Sequence, residues 1–219
     1  MSDERTEELA SRLHSASVRL LPVSKTHGPE QIEAAYAAGV RLLAENRVQE
    51  LAEKAERFAD RPDLGWAVIG HLQSNKVRLA AELADEVQTI DAAKTAHALD
   101  RRAAELGRRL DVFLQVNSSN EAQKWGVAPE AVIPLAREVE RCAALRVRGL
   151  MTIAVFSTDR AQVADCFQRM RQVQDQLRQT DALDADYADL SMGMSGDFEL
   201  AIEHGATTVR VGQAIFGAR

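Results

Sequence analysis

"VRLLPVSKTHGPE" (residues 18–30) decides how the chain should be read. An apolar run, Val18–Ser24, ends in Lys25, and a polar turn with one glycine leads to Pro29, where a helical pattern begins. That is a buried strand, a turn and a helix start. If this opened a doubly wound sheet, the turn after the strand should be a glycine-rich dinucleotide loop, and "SKTHGPE" is not one. A closed barrel is the rival solution, provided the unit repeats.

It does repeat. Runs rich in Val, Ile and Leu predict strands at Val18–Ser24, Arg41–Ala44, Trp66–Ile69, Glu86–Ile90, Asp111–Val116, Arg146–Leu150, Ala188–Leu190 and Thr208–Val211. Helical patterns fill 29–38, 46–58, 74–83, 92–106, 129–141, 159–179 and 196–204. An extra helix is expected over Glu4–Ser15, where Leu9 and Leu13 lie four apart. Continuous apolar strands are what burial on both faces by βαβ crossovers demands. Eight such units fit one (β/α)8 barrel of the TIM type, a single domain over residues 1–219. Gly39, Gly107 and Gly205 follow three of the helices, where a left-handed residue is wanted. "NSSNEAQKWG" (117–126) is expected to be a mobile loop after the fifth strand.

Composition narrows the function. Lys and Arg number 27 against 33 Asp and Glu, a net charge of −6, with no basic stripe of the kind that binds nucleic acid. The charged N-terminus is no signal peptide, and no run reaches the length of a membrane span. A cytoplasmic location follows by elimination. Cys142 and Cys166 sit in helical patterns without metal-ligand spacing and read as reduced packing residues. His14, His27, His71, His97 and His204 form no metal spacing, so no metal site is expected.

Barrel chemistry sits at the C-terminal ends of the strands. Lys25 follows the first strand there, and Arg210 lies in the last, its neighbour once the barrel closes. Alternation puts Arg19, Leu21, Val23 and Lys25 on one face, and Thr208, Arg210 and Gly212 on one face. Lys25 and Arg210 can therefore both point into the mouth, although a strand-end Lys can also snorkel to solvent. In "SMGMSGDFELAIEHG" (191–205), Ser195 and Gly196 would offer a hydroxyl, backbone N–H groups and a helix N-terminus to an anion. Gly212 adds a second close-approach loop. A plain helix cap by Asp197 or Ser195 is the competing reading. "GMSG" is not a nucleophile elbow, because its second glycine comes one position early. His71 reads as structural or as catalytic, Trp125 as a lid or as loop packing, and Met192 and Met194 as packing. A lysine, an arginine and a phosphate cup fit a ligand with a phosphate and a carbonyl. A Schiff-base sugar-phosphate aldolase and a pyridoxal 5′-phosphate (PLP) protein both remain open.

The segments "LLPVSKTH", "LAENRVQE", "WAVIGHLQSNK", "QTID", "QVNSSNEAQKWGV", "GLMTI" and "LSMGMSGDFELAIEHGATTVRVGQAIFGAR" resemble the pyridoxal phosphate homeostasis proteins, the YggS/PROSC family, from about residue 18 onward. The resemblance implies a PLP barrel of fold type III, similar to the N-terminal domain of alanine racemase. It places PLP as a Schiff base on Lys25, its phosphate at Ser195, Gly196 and the backbone of Gly212 and Gln213, and Arg210 beside the pyridine nitrogen. Asn46, His71 and Met151 would line the pocket. Arg is donor-only, so it disfavours a protonated ring nitrogen and weakens the ring as an electron sink.

Alanine racemase has a second, β-rich domain that supplies a catalytic Tyr, whereas this sequence stops at "IFGAR", and Tyr36 and Tyr187 are not expected at the mouth. The expectation is a monomeric PLP carrier for vitamin B6 homeostasis, with PLP-dependent apo-enzymes as recipients and no catalytic residues. A weak amino-acid racemase is the alternative. Two positions depart from the family: Pro22 stands where a small residue is usual, which suggests a bulge or a late strand start, and His27 stands where a second basic residue is common.

Overall fold

Eight strands form one sheet in the computed structural model, which describes Leu13 and residues 17–216. They are β1 (Arg19–Pro22), β2 (Leu42–Glu45), β3 (Gly65–Val68), β4 (Glu86–Ile90), β5 (Leu110–Gln115), β6 (Leu145–Met151), β7 (Asp189–Ser191) and β8 (Thr208–Val211). All neighbouring pairs are parallel, in the order β1-β8-β7-β6-β5-β4-β3-β2. The bridge between Val23 and Ala44 joins β1 to β2 and closes the ring. The helices between strands are α1 (Pro29–Ala37), α2 (Val48–Arg57), α3 (Val77–Leu83), α4 (Ala93–Glu105), α5 (Val132–Glu140), α6 (Arg160–Arg178) and α7 (Phe198–Glu203). A short α8 (Gln213–Phe216), not anticipated from sequence, follows β8. The helix expected over Glu4–Ser15 lies outside the described residues except for Leu13, which is helical and buried.

The strand predictions hold to within about two residues, because a strand buried on both faces carries an unbroken apolar signal. Helix starts shift more. Ser74–Lys76 and Pro129–Ala131 form single 3₁₀ turns ahead of α3 and α5 rather than their first α-helical turns. Gly39, Gly107 and Gly205 all have positive φ, as their places after α1, α4 and α7 required.

Two apolar layers result. Outward-facing strand residues pack under the helices, as with Val163, Cys166, Phe167, Met170, Val173 and Leu177 of α6, spaced three or four apart and buried. Each such large side chain contributes about 1.5–3 kcal/mol by leaving water. Asp159 starts α6, its carboxylate accepting the Ala161 N–H at 2.9 Å. Inside the barrel, Leu21, Val23, Ala44 and Ala67 form a separate small cluster. Between β1 and β8, Arg19 Nε donates to Thr208 Oγ1 across the interior, so the predicted inward faces are correct.

Pro22 causes neither a bulge nor a late start. β1 runs in register with β8 through Pro22, opposite Val211. Arg19 and Val23 donate their N–H groups to β8, whereas Ser24 donates to Ala44 of β2. Pro22 has the parity of Ser24, so its missing N–H faces β2. That seam is held by a single bridge, and the ladder there loses little. The 117–126 loop is also better tethered than a mobile loop. The Asn117 N–H donates to the Val127 carbonyl, the Val127 N–H donates to the Gln115 carbonyl, and Lys124 Nζ reaches the Ala154 carbonyl at 2.8 Å.

Candidate functional site

Lys25 sits just past β1, half-buried, so the burial cost of its ammonium is only partial. The residues on either side of it are clamped. The Ser24 hydroxyl donates to Glu45 Oε1 at 2.5 Å, and the Ser24 carbonyl accepts from Lys54 Nζ at 2.7 Å. The Thr26 N–H donates to Glu50 Oε1, with Thr26 itself at φ +64°. Lys54 on α2 also donates to Glu45 at 2.6 Å and to Glu50 at 2.8 Å. Glu45 is fully buried, and its Oε2 has no hydrogen-bond partner among the described residues. Burial pushes its carboxyl above the usual range, while the bonds from Lys54 and Ser24 pull it back. For Glu50 burial also acts upward, but Lys54 and the Thr26 N–H outweigh it and hold the carboxyl low.

Arg210 points into the barrel beside this clamp, in the strand that pairs with β1. It is 3% exposed. Its Nη1 donates to Ser191 Oγ at 2.8 Å and its Nη2 to the Thr152 carbonyl at 2.7 Å. Burial lowers its guanidinium to about 10, against the pull of Asp197, so it remains a cation at neutral pH.

The two glycine-bearing loops follow the adjoining strands β7 and β8. Gly193 has φ +95°, and a Cβ there would lie 2.6 Å from Ala201 Cβ, so only glycine lets this loop fold down onto α7. Its carbonyl accepts the Arg210 N–H, which ties the loop to β8. Ser195 and Gly196 are exposed and make no backbone N–H bond among the described residues. They line a cavity of about 440 Å³ with Ser157, Thr158 and Arg160. Asp197 stands at the N-cap of α7, but its side chain makes no cap bond to the helix and accepts the Met194 N–H instead, so the capping reading fails. Gly212 lies next to β1, where a Cβ would come 3.1 Å from the Val23 carbonyl, and Gln213 is exposed at the start of α8.

The opposite rim carries Asn46 and His71. Asn46 is exposed, its backbone pressed against Gly70. His71 stacks on Trp125 with ring centroids 3.6 Å apart and planes 12° apart. This makes Trp125 part of the rim rather than plain loop packing. His71 Nδ1 is buried without a hydrogen bond; Asp91 lies 3.7 Å away, too far for one. Met151 ends β6 and is fully buried, so it lies in the floor and not on the open wall. Met192 packs in the core as expected, but Met194 is exposed at the turn. Sequence reasoning missed Ser24, Glu45 and Lys54. "ELAEK" showed an ordinary (i, i+4) Glu50–Lys54 pair, with nothing to say that it reaches β1.

Both tyrosines lie at the other end of the barrel. Tyr36 bonds Asp63 ahead of β3, and Tyr187, ahead of β7, bonds Glu140. Among the described residues, no three His, Cys, Asp or Glu side chains group as a metal site, and no helix is long and apolar enough to cross a membrane.

A parallel barrel with a lysine after β1, an arginine in β8 and a glycine-lined cup after β7 defines a class. Residues 3–219 match the family described as alanine racemase, N-terminal domain. Over 210 residues the chain is 47% identical to the pyridoxal phosphate homeostasis protein of Vibrio alginolyticus, covering 93% of this chain and 87% of that protein. Over 211 residues it is 43% identical to the protein of the same description from Pasteurella multocida, covering 96% and 90%. The structure of PipY of Synechococcus elongatus with PLP bound superposes with a TM-score of 0.90 at 38% identity, covering 99% of this chain and 100% of that one. The chain belongs to the alanine racemase N-terminal domain family, within the group of pyridoxal phosphate homeostasis proteins.

Proposed function

We propose that this chain binds PLP and takes part in intracellular PLP homeostasis, as a monomeric, single-domain cytoplasmic carrier that supplies apo-enzymes. The observation that supports the reading is the buried Arg210 on β8, the strand paired with β1, with Lys25 half-buried just past the end of β1. The residues suit the ligand. Ser195, Gly196 and Gly212, all small, and the backbone N–H of Gln213 would leave room and donors for a phosphate. Asn46, His71 and Met151 would enclose the ring.

Bound PLP supplies an aldehyde that an amine can capture and a conjugated ring that can accept electrons. Lys25 is the capturing amine, its backbone fixed by the Ser24 and Thr26 contacts. Arg210 would face the ring nitrogen of bound PLP with a donor-only cation, which would disfavour protonation there and make the ring a poorer electron sink. His71 and Trp125 shield one rim from water. No tyrosine among the described residues stands at the mouth to act as a base, which supports storage over racemisation.

The test is spectral and covalent. Purified protein given PLP should absorb near about 420 nm, and borohydride reduction should place a pyridoxyl group on Lys25. Lys25→Ala should lose both. A label elsewhere, or none, overturns the reading. Steady racemisation of L-alanine at about 1 per second or faster would replace a carrier with an enzyme.

A further inference from the structure

A buried polar chain crosses the barrel interior from the mouth to the opposite end. Arg210 Nη1 donates to Ser191 Oγ on β7 at 2.8 Å. Ser191 Oγ donates across the barrel to Gln88 Oε1 on β4 at 2.7 Å. Gln88 Nε2 donates to Glu86 Oε1 at 2.5 Å. Glu86 accepts from Arg19 Nη1 at 2.7 Å and Nη2 at 3.1 Å. Arg19 Nε then returns to Thr208 Oγ1 on β8, two residues from Arg210. Gln88, Ser191, Glu86, Thr208 and Arg210 are all at most 4% exposed.

The direction of this chain is fixed by chemistry. Guanidinium groups only donate, so Ser191 must accept from Arg210 and spend its one proton on Gln88. That turns the Gln88 amide NH₂ toward Glu86, whose carboxylate accepts from both sides. The run ends in one negative charge between two arginines. Barrel interiors are commonly filled by branched apolar side chains, and a buried ionic network adds little net stability over such packing. A fully satisfied network does fix orientation.

We propose that Ser191, Gln88 and Glu86 are positioning residues for Arg210. Ser191 holds one of its nitrogens while the Thr152 carbonyl holds a second, and Gln88, itself anchored on Glu86, fixes the Ser191 hydroxyl. The guanidinium is then held in one orientation, with its remaining N–H edge free to meet a ligand at the mouth. This inference rests on the proposed PLP reading.

Wild type, Ser191→Ala, Ser191→Thr and Gln88→Met are loaded with PLP, and the visible band, release rate and melting temperature are measured. Ser191→Ala removes one oxygen and Gln88→Met keeps the volume while cutting the relay. Both should still label Lys25 after borohydride reduction, but release PLP on the order of tenfold faster with a displaced visible band. Ser191→Thr, which keeps the hydroxyl, should behave as wild type. If Gln88→Met fails to fold, the Ser191 pair decides alone. Unchanged release and an unchanged band in folded Ser191→Ala overturn the inference while leaving PLP binding intact. Wild type that takes up no PLP sinks both.

Discussion

Replacing Lys54 by Met should destabilise the protein at its best-defined buried ion pair. Lys54 Nζ makes three bonds, to the Ser24 carbonyl, Glu45 and Glu50. Without it Glu45, fully buried, keeps only the Ser24 hydroxyl. Stranding one member of a buried pair costs about 3–5 kcal/mol. For a chain of this size that corresponds to a fall in Tm of about 6–20 °C. The deficit should depend on pH. Burial already raises the Glu45 carboxyl, and losing Lys54 removes contributions that lower it. The folded state then binds more protons than the unfolded state between the two pKa values, and stability falls as pH rises through that window. Melting curves of K54M should approach those of wild type as pH drops from about 8 to about 5. The double variant Glu45→Gln with Lys54→Met should recover most of the loss at neutral pH, because a neutral amide needs no counter-charge. A K54M loss below about 1 kcal/mol, or a double variant no better than K54M, would refute the reasoning.

Three further outcomes are expected. Gly70→Ala would place a Cβ 1.9 Å from the Asn46 carbonyl, so the rim backbone must move, and calorimetry should show a loss of about 3 kcal/mol or more. Both cysteines are buried and unpaired, and burial, with Asp100 and Glu138 nearby, pushes the Cys142 thiol up to about 11. A thiol reagent at neutral pH should therefore count none in the folded protein and both after denaturation; rapid labelling of the native state contradicts this. Trp125 lies at the rim on His71, whereas Trp66, the other tryptophan, is buried under the helices. PLP addition should quench mainly Trp125, so Trp125→Phe should lose most of the quench, and an undiminished quench would place the ligand elsewhere.

Much of the site's outline was legible before any coordinates. Alternation alone put Arg19 and Arg210 on inward faces of the first and last strands, where both bond within the barrel, because the side-chain period of a strand is two. Glycines after α1, α4 and α7 were legible because few other residues take positive φ cheaply. Pro22 misled, because sequence shows that an N–H is missing but not which neighbour would have received it. The loop 117–126 misled too, because polar composition does not reveal tethers such as Lys124 to Ala154, thirty residues away.

The sequence by itself determined the eight strands, the helices between them and their parallel order, since each depends on local period and on the residues just past a strand end. Only the tertiary structure decided how those residues are held. Ser191 meets Gln88 across 103 residues, and Lys54 meets the Ser24 carbonyl across 30. His71 meets Trp125 across the rim. Such partners carry no periodic signal, because a buried polar group needs one acceptor at one distance, and only barrel closure sets which strand supplies it.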